Sequence, residues 1–540
     1  MRTNLLCDGA TAQSLGLEWL AAELEPVSDY GRRAFARLEP YRPGDEGAAA
    51  ARAAQVSGAA QALAPESVEA LRDALRSAPD ASGAIARAGV GDTLADADFL
   101  ELLRFCDALE RVDALLPKNI PKPPRCSAIA VALERGRAGK FGFYLDDAFD
   151  RDLGTARARA AAAQAEFEAA RGRLLASASA ALGRADIASP EFIVMRDARS
   201  ASLPEGVRVI REAPTYYLCE LELDESALAA LRRRDEASEV ASSGEERVRA
   251  ALSERVREHV AELERAEALA GELDVLLAAV RFTQRYACRP AEYHADASLA
   301  FVDAHYLPLQ AELEREGRPY VPIALTLGEV AILTGPNMGG KSVALRTCGF
   351  IAVCAAFGLP VPAESARVAL FAEIAWLGIG VREEPGGLLS SFAGEVVRLR
   401  DVLARGAEPA LLLIDEFART TTPDEGRALL LALIVRLRRL RVCALVATHL
   451  TGIAEDAGAP HFVVRGLREI SEQAPSEDLD EALQQLAALM DYTIEPVGAA
   501  REHTADAIFL ARLLGLDAEF IDIAWQKLRG REGRATRPRK

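Results

Sequence analysis

The chain has 540 residues, half of them apolar, and carries a formal net charge of −17. That length holds two to four domains, each with room for its own core. The acidity counts against strong non-specific affinity for nucleic acid, which needs cationic surface; a membrane span is excluded too, because no apolar run reaches about 18 residues.

The N-terminus, MRTNLLCDGA, lacks the layout of a secretory signal. Eight cysteines are scattered without a C-x-x-C pair, which argues against a zinc site or a disulfide framework and for reduced thiols in the cytoplasm. Residues 1–120 read as helices with loop punctuation at 40–47 and 91–92. Residues 15–38, LGLEWLAAELEPVSDYGRRAFARL, place apolar side chains at helical spacing, broken by a Pro-Val-Ser turn. Residues 121–145 contain PKPP and GKFGFYL and suit a short hairpin. Residues 151–184 are alanine-rich with charges spaced for a long helix, and residues 226–275 predict a second one, interrupted near Ser242–Gly244. Between them EFIVMRD, VRVIREA and TYYLCELEL are strand-like. This segment, 185–225, holds nine Asp/Glu and four arginines (Arg196, Arg199, Arg208 and Arg211), a net of −5. Such a surface repels phosphates unless its arginines share one face. Arg232–Arg234 are balanced at once by Asp235 and Glu236, as on a solvated helix face.

Residues 331–342, AILTGPNMGGKS, carry the most chemistry. A short apolar strand runs into Gly335-x-x-x-x-Gly340-Lys341-Ser342, the spacing of a phosphate-cradling P-loop. Glycines let backbone N–H groups turn around phosphate oxygens, and the next helix aims its N-terminus at the same anion. Pro336, Asn337, Met338 and Gly339 fill the loop and Val343 follows it. Lys341 offers a cation to the terminal phosphates of ATP, and Ser342 a hard oxygen to Mg²⁺. The chain has six lysines against 58 arginines, and one of the six stands at the required place. Residues 410–416, ALLLIDE, read as a buried parallel strand ending in two carboxylates. Asp415 would hold Mg²⁺ through water, and Glu416 would position or deprotonate the attacking water; the plainer alternative is a strand and a polar turn. VCALVAT, residues 442–448, predicts a third strand, with His449 at its end as a γ-phosphate sensor or a structural histidine.

TGPNMGGKS, LLSSFAGEV, LLLIDEF and ATHL, in this order and spacing, resemble the ATPase domain of the MutS-type mismatch-repair family, a branch of the ABC ATPases. The Asn337-Met338 pair is a mark of that family. The resemblance implies a multidomain protein with an α-helical lever (1–120), helical coiled-coil arms (121–290) with a small β-rich clamp tip (185–225), an α/β P-loop ABC-type ATPase domain (291–500) and a C-terminal helical dimerisation element with a basic tail (501–540). A plain two-helix insertion is the alternative to arm and clamp. The resemblance also implies a head-to-tail homodimer with two composite sites. Asn337, Lys341 and Ser342 would bind triphosphate and Mg²⁺ in one subunit, and Ser390 would approach the γ-phosphate bound to the other. Tyr320 falls where the family stacks a ring on adenine, though a packed core tyrosine fits as well. Three departures stand out: Val343 replaces the usual threonine, Ala418–Pro423 replaces GRGTST, and Phe392-Ala393-Gly394 is smaller than usual.

Residues 501–528 read as two amphipathic helices joined at Gly515-Leu516, and the basic residues 529–540 as lacking fixed structure. The family implies a DNA-directed ATPase. The family's mismatch-reading and connector domains find no counterpart, and no Phe-x-Glu wedge precedes the lever. The acidic tip fits an alternative better: an ATP-driven remodeller of a protein client, such as the MutS-like reactivases of cobalamin-dependent lysine aminomutases. An SMC-like or Rad50-like structural ATPase needs far longer arms.

Overall fold

The structure is a computed structural model. It describes the chain except for residues 139–141, 185–186, 188, 197–202, 337–338, 379–390, 406–408, 420, 441, 468–489, 498–507, 509–510, 513–514 and 536–540. Two compact units are present: residues 1–73, 115–121 and 270–540 form one, and residues 74–114 and 122–269 the other.

The first unit is built on a six-stranded sheet. Its strands are β1 (Val330–Thr334), β2 (Glu373–Gly378), β3 (Ala410–Asp415), β4 (Val442–Ala447), β5 (His461–Leu467) and β6 (Met490–Pro496), in the order β2-β3-β4-β1-β5-β6. All neighbours are parallel except β6, which runs antiparallel to β5. The apolar runs follow from helices on both faces. Helix α1 (Lys341–Ala356) covers one face. Helices α3 (Pro423–Leu437) and α4 (Ile453–Ala457) cover the other, where Leu430, Leu433 and Ile434 pack on Ile332, Leu412, Ile414 and Val446. Helix α2 (Ser391–Arg405) precedes β3. A smaller mixed sheet joins strands Glu292–His294, Ser365–Ala369, Leu299–Ala304 and Ile323–Leu327 in that order.

The first residues of the chain belong to this unit because they hydrogen-bond to its sheet. Backbone groups along the outer edge of β2 would otherwise be exposed. The Ile374 N–H donates to Leu6 O at 2.9 Å, and the Trp376 N–H to Thr11 Oγ1 at 3.0 Å. Arg42 donates to Leu5 O at 2.7 Å and Ala372 O at 2.6 Å.

The second unit contains the long helices Arg151–Leu182 and Glu225–Arg257, with a three-stranded antiparallel sheet between them in sequence. The helices run antiparallel: Arg157 pairs with Glu245 at 2.8 Å and Glu166 with Arg233 at 3.2 Å, around a seam of Phe167, Ala170, Ala227 and Ala230. The break expected near Ser242–Gly244 is absent, and the helix ends at Arg257. Serine and glycine weaken a helix by about 1 kcal/mol or less each, and here small residues serve packing. A Cβ on Gly244 would stand 3.3 Å from Leu153 Cδ1. The sheet comprises Glu191–Met195, Val207–Glu212 and Tyr216–Leu221 and packs Phe192, Val194 and Cys219 against Leu175 and Leu182. The hairpin suggested for 121–145 is present as two short strands, Arg137–Ala138 and Gly142–Phe143.

Toward the C-terminus, Gly515 takes a left-handed φ of +77°, and a helix follows over Ala518–Ala535. It extends through Gly530 and Gly533 into the basic stretch expected to lack structure, and no proline precedes Pro538 to stop it. The first of the two helices expected there lies mostly outside the described residues. Among the described residues no helix is long and apolar enough to cross a membrane, and all eight cysteines are buried free thiols.

Gly349 on α1 sets how closely that helix meets the sheet: a Cβ there would lie 2.4 Å from Leu15 Cδ2 and 2.8 Å from Leu413 Cδ1. Gly349→Ala is therefore expected to destabilise the first unit by about 1–3 kcal/mol, read as a lowered thermal midpoint; an unchanged midpoint would show that α1 can shift freely.

Candidate nucleotide site

The site lies at the C-terminal ends of the parallel strands, where open α/β sheets bind ligands. β1 ends at Thr334 and the loop to α1 begins with Gly335, at φ +148°. This glycine is needed for space as well as for φ: a Cβ would stand 3.0 Å from Val464 Cβ on β5. Gly340, at φ +90°, precedes the first residue of α1. The Gly339 N–H closes the turn on Pro336 O at 3.0 Å. Asn337 and Met338 lie outside the described residues.

Lys341 opens α1 and is buried. Its ammonium donates to Gly335 O at 2.9 Å and Pro336 O at 3.0 Å. Burial lowers its pKa, and the carboxylates of Glu416 and Asp415 oppose that shift. Ser342 Oγ donates to Asp415 Oδ2 at 2.8 Å. Burial raises the Asp415 pKa; the Ser342 bond opposes this, the Glu416 carboxylate adds to it, and Arg346 and Lys341 oppose it. Strand order explains the meeting: β4 alone separates β1 from β3, so the loop after β1 and the acid ending β3 share one rim. Val343 occupies the next position of α1.

Glu416 leaves β3 in the left-handed region, at φ +54°, with Ala418 close behind at φ +60°. The Glu416 N–H donates to Ala447 O at 3.0 Å, anchoring the turn to the end of β4. Its carboxylate accepts from Arg419 at 2.8 Å. His449 is exposed on the loop after β4, the same rim. Ser390 lies outside the described residues; α2 begins at the next residue.

Tyr320 is partly buried in the first unit. Its hydroxyl accepts from the Tyr306 N–H at 2.9 Å and its ring stacks on His305 at 5.3 Å. Sequence reasoning passed over two other side chains. Tyr492 on β6 turns its ring to the glycine loop, 3.1 Å from where a Cβ on Gly340 would be. Glu395 on α2 is buried and accepts from the Ala418 N–H through Oε2 at 3.1 Å. Glu395 lies within the LLSSFAGEV segment that the sequence singles out, but nothing local assigns it a role, whereas an aromatic residue on a late strand could have been sought.

The class follows from this geometry: an open, mostly parallel α/β sheet in which a glycine-rich segment, a helix N-terminus and a strand-end carboxylate meet at one rim, the place where such domains bind ligands. Comparison with known proteins narrows it. Residues 331–511 match the family model described as MutS domain V. The chain is 29% identical over 285 residues to an Endonuclease MutS2 of Carboxydothermus hydrogenoformans, covering 52% of this chain and 34% of that protein. It is 32% identical over 199 residues to Endonuclease MutS2 of Streptococcus pneumoniae, strain Hungary19A-6, covering 37% of this chain and 25% of that one. The match thus spans about a third or less of the length of these relatives. Through residues 331–511 the chain is thus similar to domain V of the MutS family.

Gly340→Ala should be poorly tolerated, since a left-handed φ costs a residue with a Cβ about 1–2 kcal/mol and the Tyr492 ring stands in the way. A drop in thermal midpoint, relieved in part by adding Tyr492→Ala, is expected; no drop would show that the loop lacks this conformation.

Proposed function

We propose that the chain is a Mg²⁺-dependent ATPase that works as a homodimeric switch. The observation that carries this reading is the Ser342–Asp415 hydrogen bond of 2.8 Å beside buried Lys341. The donor set suits Mg²⁺, which takes hard oxygens and few protein ligands. Ser342 and Asp415 would hold the ion, which when bound offsets charge on the phosphates. Lys341, now held by two loop carbonyls, would turn its ammonium to the terminal phosphates. Gly335, Gly339, Gly340 and the start of α1 supply backbone N–H groups to phosphate oxygens. Glu416 accepts the proton of the attacking water once it parts from Arg419, and His449 contacts the γ-phosphate. Tyr492, against the loop, is better disposed than Tyr320 to stack on the base: the Tyr320 hydroxyl is engaged and one face of its ring is covered.

Dimer formation is supported by apolar side chains left in the open. Val396 and Val397 on α2, and Phe520 and Ile523 on the C-terminal helix, are all exposed. Ser390 would then serve the partner's nucleotide.

Similarity to the MutS family favours DNA as the object of the switch. The endonuclease activity in the relatives' name belongs to those proteins. A second reading, action on a protein client, is favoured by the three-stranded sheet of the second unit. Two of its four arginines are spent internally: Arg208 pairs with Glu220 at 2.5 Å, and Arg196 with Glu212 at 3.7 Å and over the Tyr217 ring. Its outer face exposes Ile193, Met195 and Ile210.

Glu416→Gln should bind ATP as wild type does but hydrolyse it at least about a hundredfold more slowly, the size of a lost general base, whereas Lys341→Ala should weaken nucleotide binding itself. Wild-type turnover by Glu416→Gln would end this assignment. For duplex DNA, filter binding across salt concentrations should give micromolar or weaker affinity at physiological salt and a shallow dependence, since each neutralised phosphate adds a slope of about −0.9. Nanomolar, steeply salt-dependent binding would overturn the weak-contact reading.

A further inference from the structure

The turn that carries Glu416 holds two non-glycine residues at left-handed φ, Glu416 and Ala418. Each is strained, and such strain persists only where the surroundings impose it. The imposing contacts come from two elements. β4 supplies Ala447 O to the Glu416 N–H, and α2 supplies Glu395 Oε2 to the Ala418 N–H. The second contact is the unusual one. Glu395 is 7% exposed, so its carboxylate has left water for one backbone hydrogen bond. Its Oε1 is buried with no hydrogen-bond partner among the described residues. Leaving a buried acceptor unpaired is unfavourable, so the residue is held there by its one bond to the turn rather than by general polarity. Burial also raises the Glu395 pKa, with the Ala418 N–H opposing the shift.

Position gives the residue a purpose. Glu395 sits in the first turns of α2, five residues after Ser390 and bonded two residues beyond Glu416. A side chain so placed links the helix that would serve the partner's nucleotide to the turn that aims the hydrolytic carboxylate at its own. We propose that Glu395 is a positioning residue, which holds the Glu416 turn in its strained form and ties it to α2, so that movement of α2 on one nucleotide changes the aim of Glu416 at the other. This inference rests on the ATPase reading above.

The test compares wild type, Glu395→Met and Glu395→Gln. Methionine keeps the buried volume and removes the acceptor; glutamine restores an acceptor. Glu395→Met is expected to bind ATP within twofold of wild type but to lose at least about tenfold in kcat with KM little changed, the size of one mispositioned reacting group. Glu395→Gln should recover most of that loss. A merely structural role would instead lower ATP affinity and thermal midpoint together. Wild-type kcat in Glu395→Met would overturn the proposal, as would a Glu395→Gln variant that binds ATP normally yet is no better than Glu395→Met. Amide exchange on the wild-type protein gives an arm that needs no variant to fold. The segment 416–419 should be protected in the absence of nucleotide, and exchange at the free-peptide rate would also overturn the proposal. Absence of hydrolysis by wild type would count against the ATPase reading, and is distinct from all of these results.

Discussion

Ser342 and Asp415 are 73 positions apart in the chain, and the 2.8 Å hydrogen bond between them makes a single site of two separate loops. It forms because β1 and β3 run the same way and end at one rim with only β4 between them. The parallel sheet depends in turn on apolar strands covered on both faces. Shifting either strand by one residue would break its register with β4 and move Asp415 from the loop. The helix packing behind the sheet is thus a condition of the chemistry in front of it, and the close approach at Gly349 belongs to the same requirement.

The rim is expensive in local terms. It contains glycines at φ +148° and +90°, two residues with side chains at left-handed φ, a buried lysine, the buried carboxylate of Glu395 and the half-buried carboxylates of Asp415 and Glu416. None of these stabilises the fold by itself. They oppose one another in pairs: the lysine's charge is supported by the carboxylates, and Asp415 is relieved by Ser342. The second unit works differently. Its helices are held by one partly buried ion pair, Arg157–Glu245, and one exposed pair, Glu166–Arg233, the latter worth about 0–1 kcal/mol, over a narrow alanine-rich seam.

Much of the rim was legible in the sequence. The glycine spacing at 335–340 and the apolar run into Asp415 each state a local geometry, and the structure contains the strands they predict. Three strand-like segments between two long helices were equally readable, because alternation such as Phe192 and Val194 inward with Ile193 and Met195 outward is a local signal. What stayed hidden depends on distant contacts. Tyr492 meets Gly340 only because β6 folds back along β5, and Glu395 matters only because α2 lies against the turn after β3. Residues 1–73 join the sheet through hydrogen bonds to β2 that no periodicity announces. Ser242–Gly244 looked like a helix break because composition was read without the neighbour, Leu153, that needs small residues opposite it.

The central claim is that Ser342 and Asp415 form one ion-assisted triphosphate site. Titration calorimetry of ATP into wild type and Asp415→Asn, each with and without Mg²⁺, tests it most directly. Wild type should bind ATP more tightly with Mg²⁺ than without, and Asp415→Asn should bind ATP while losing that increment. No ATP binding by wild type, or an undiminished Mg²⁺ effect in Asp415→Asn, would contradict the account.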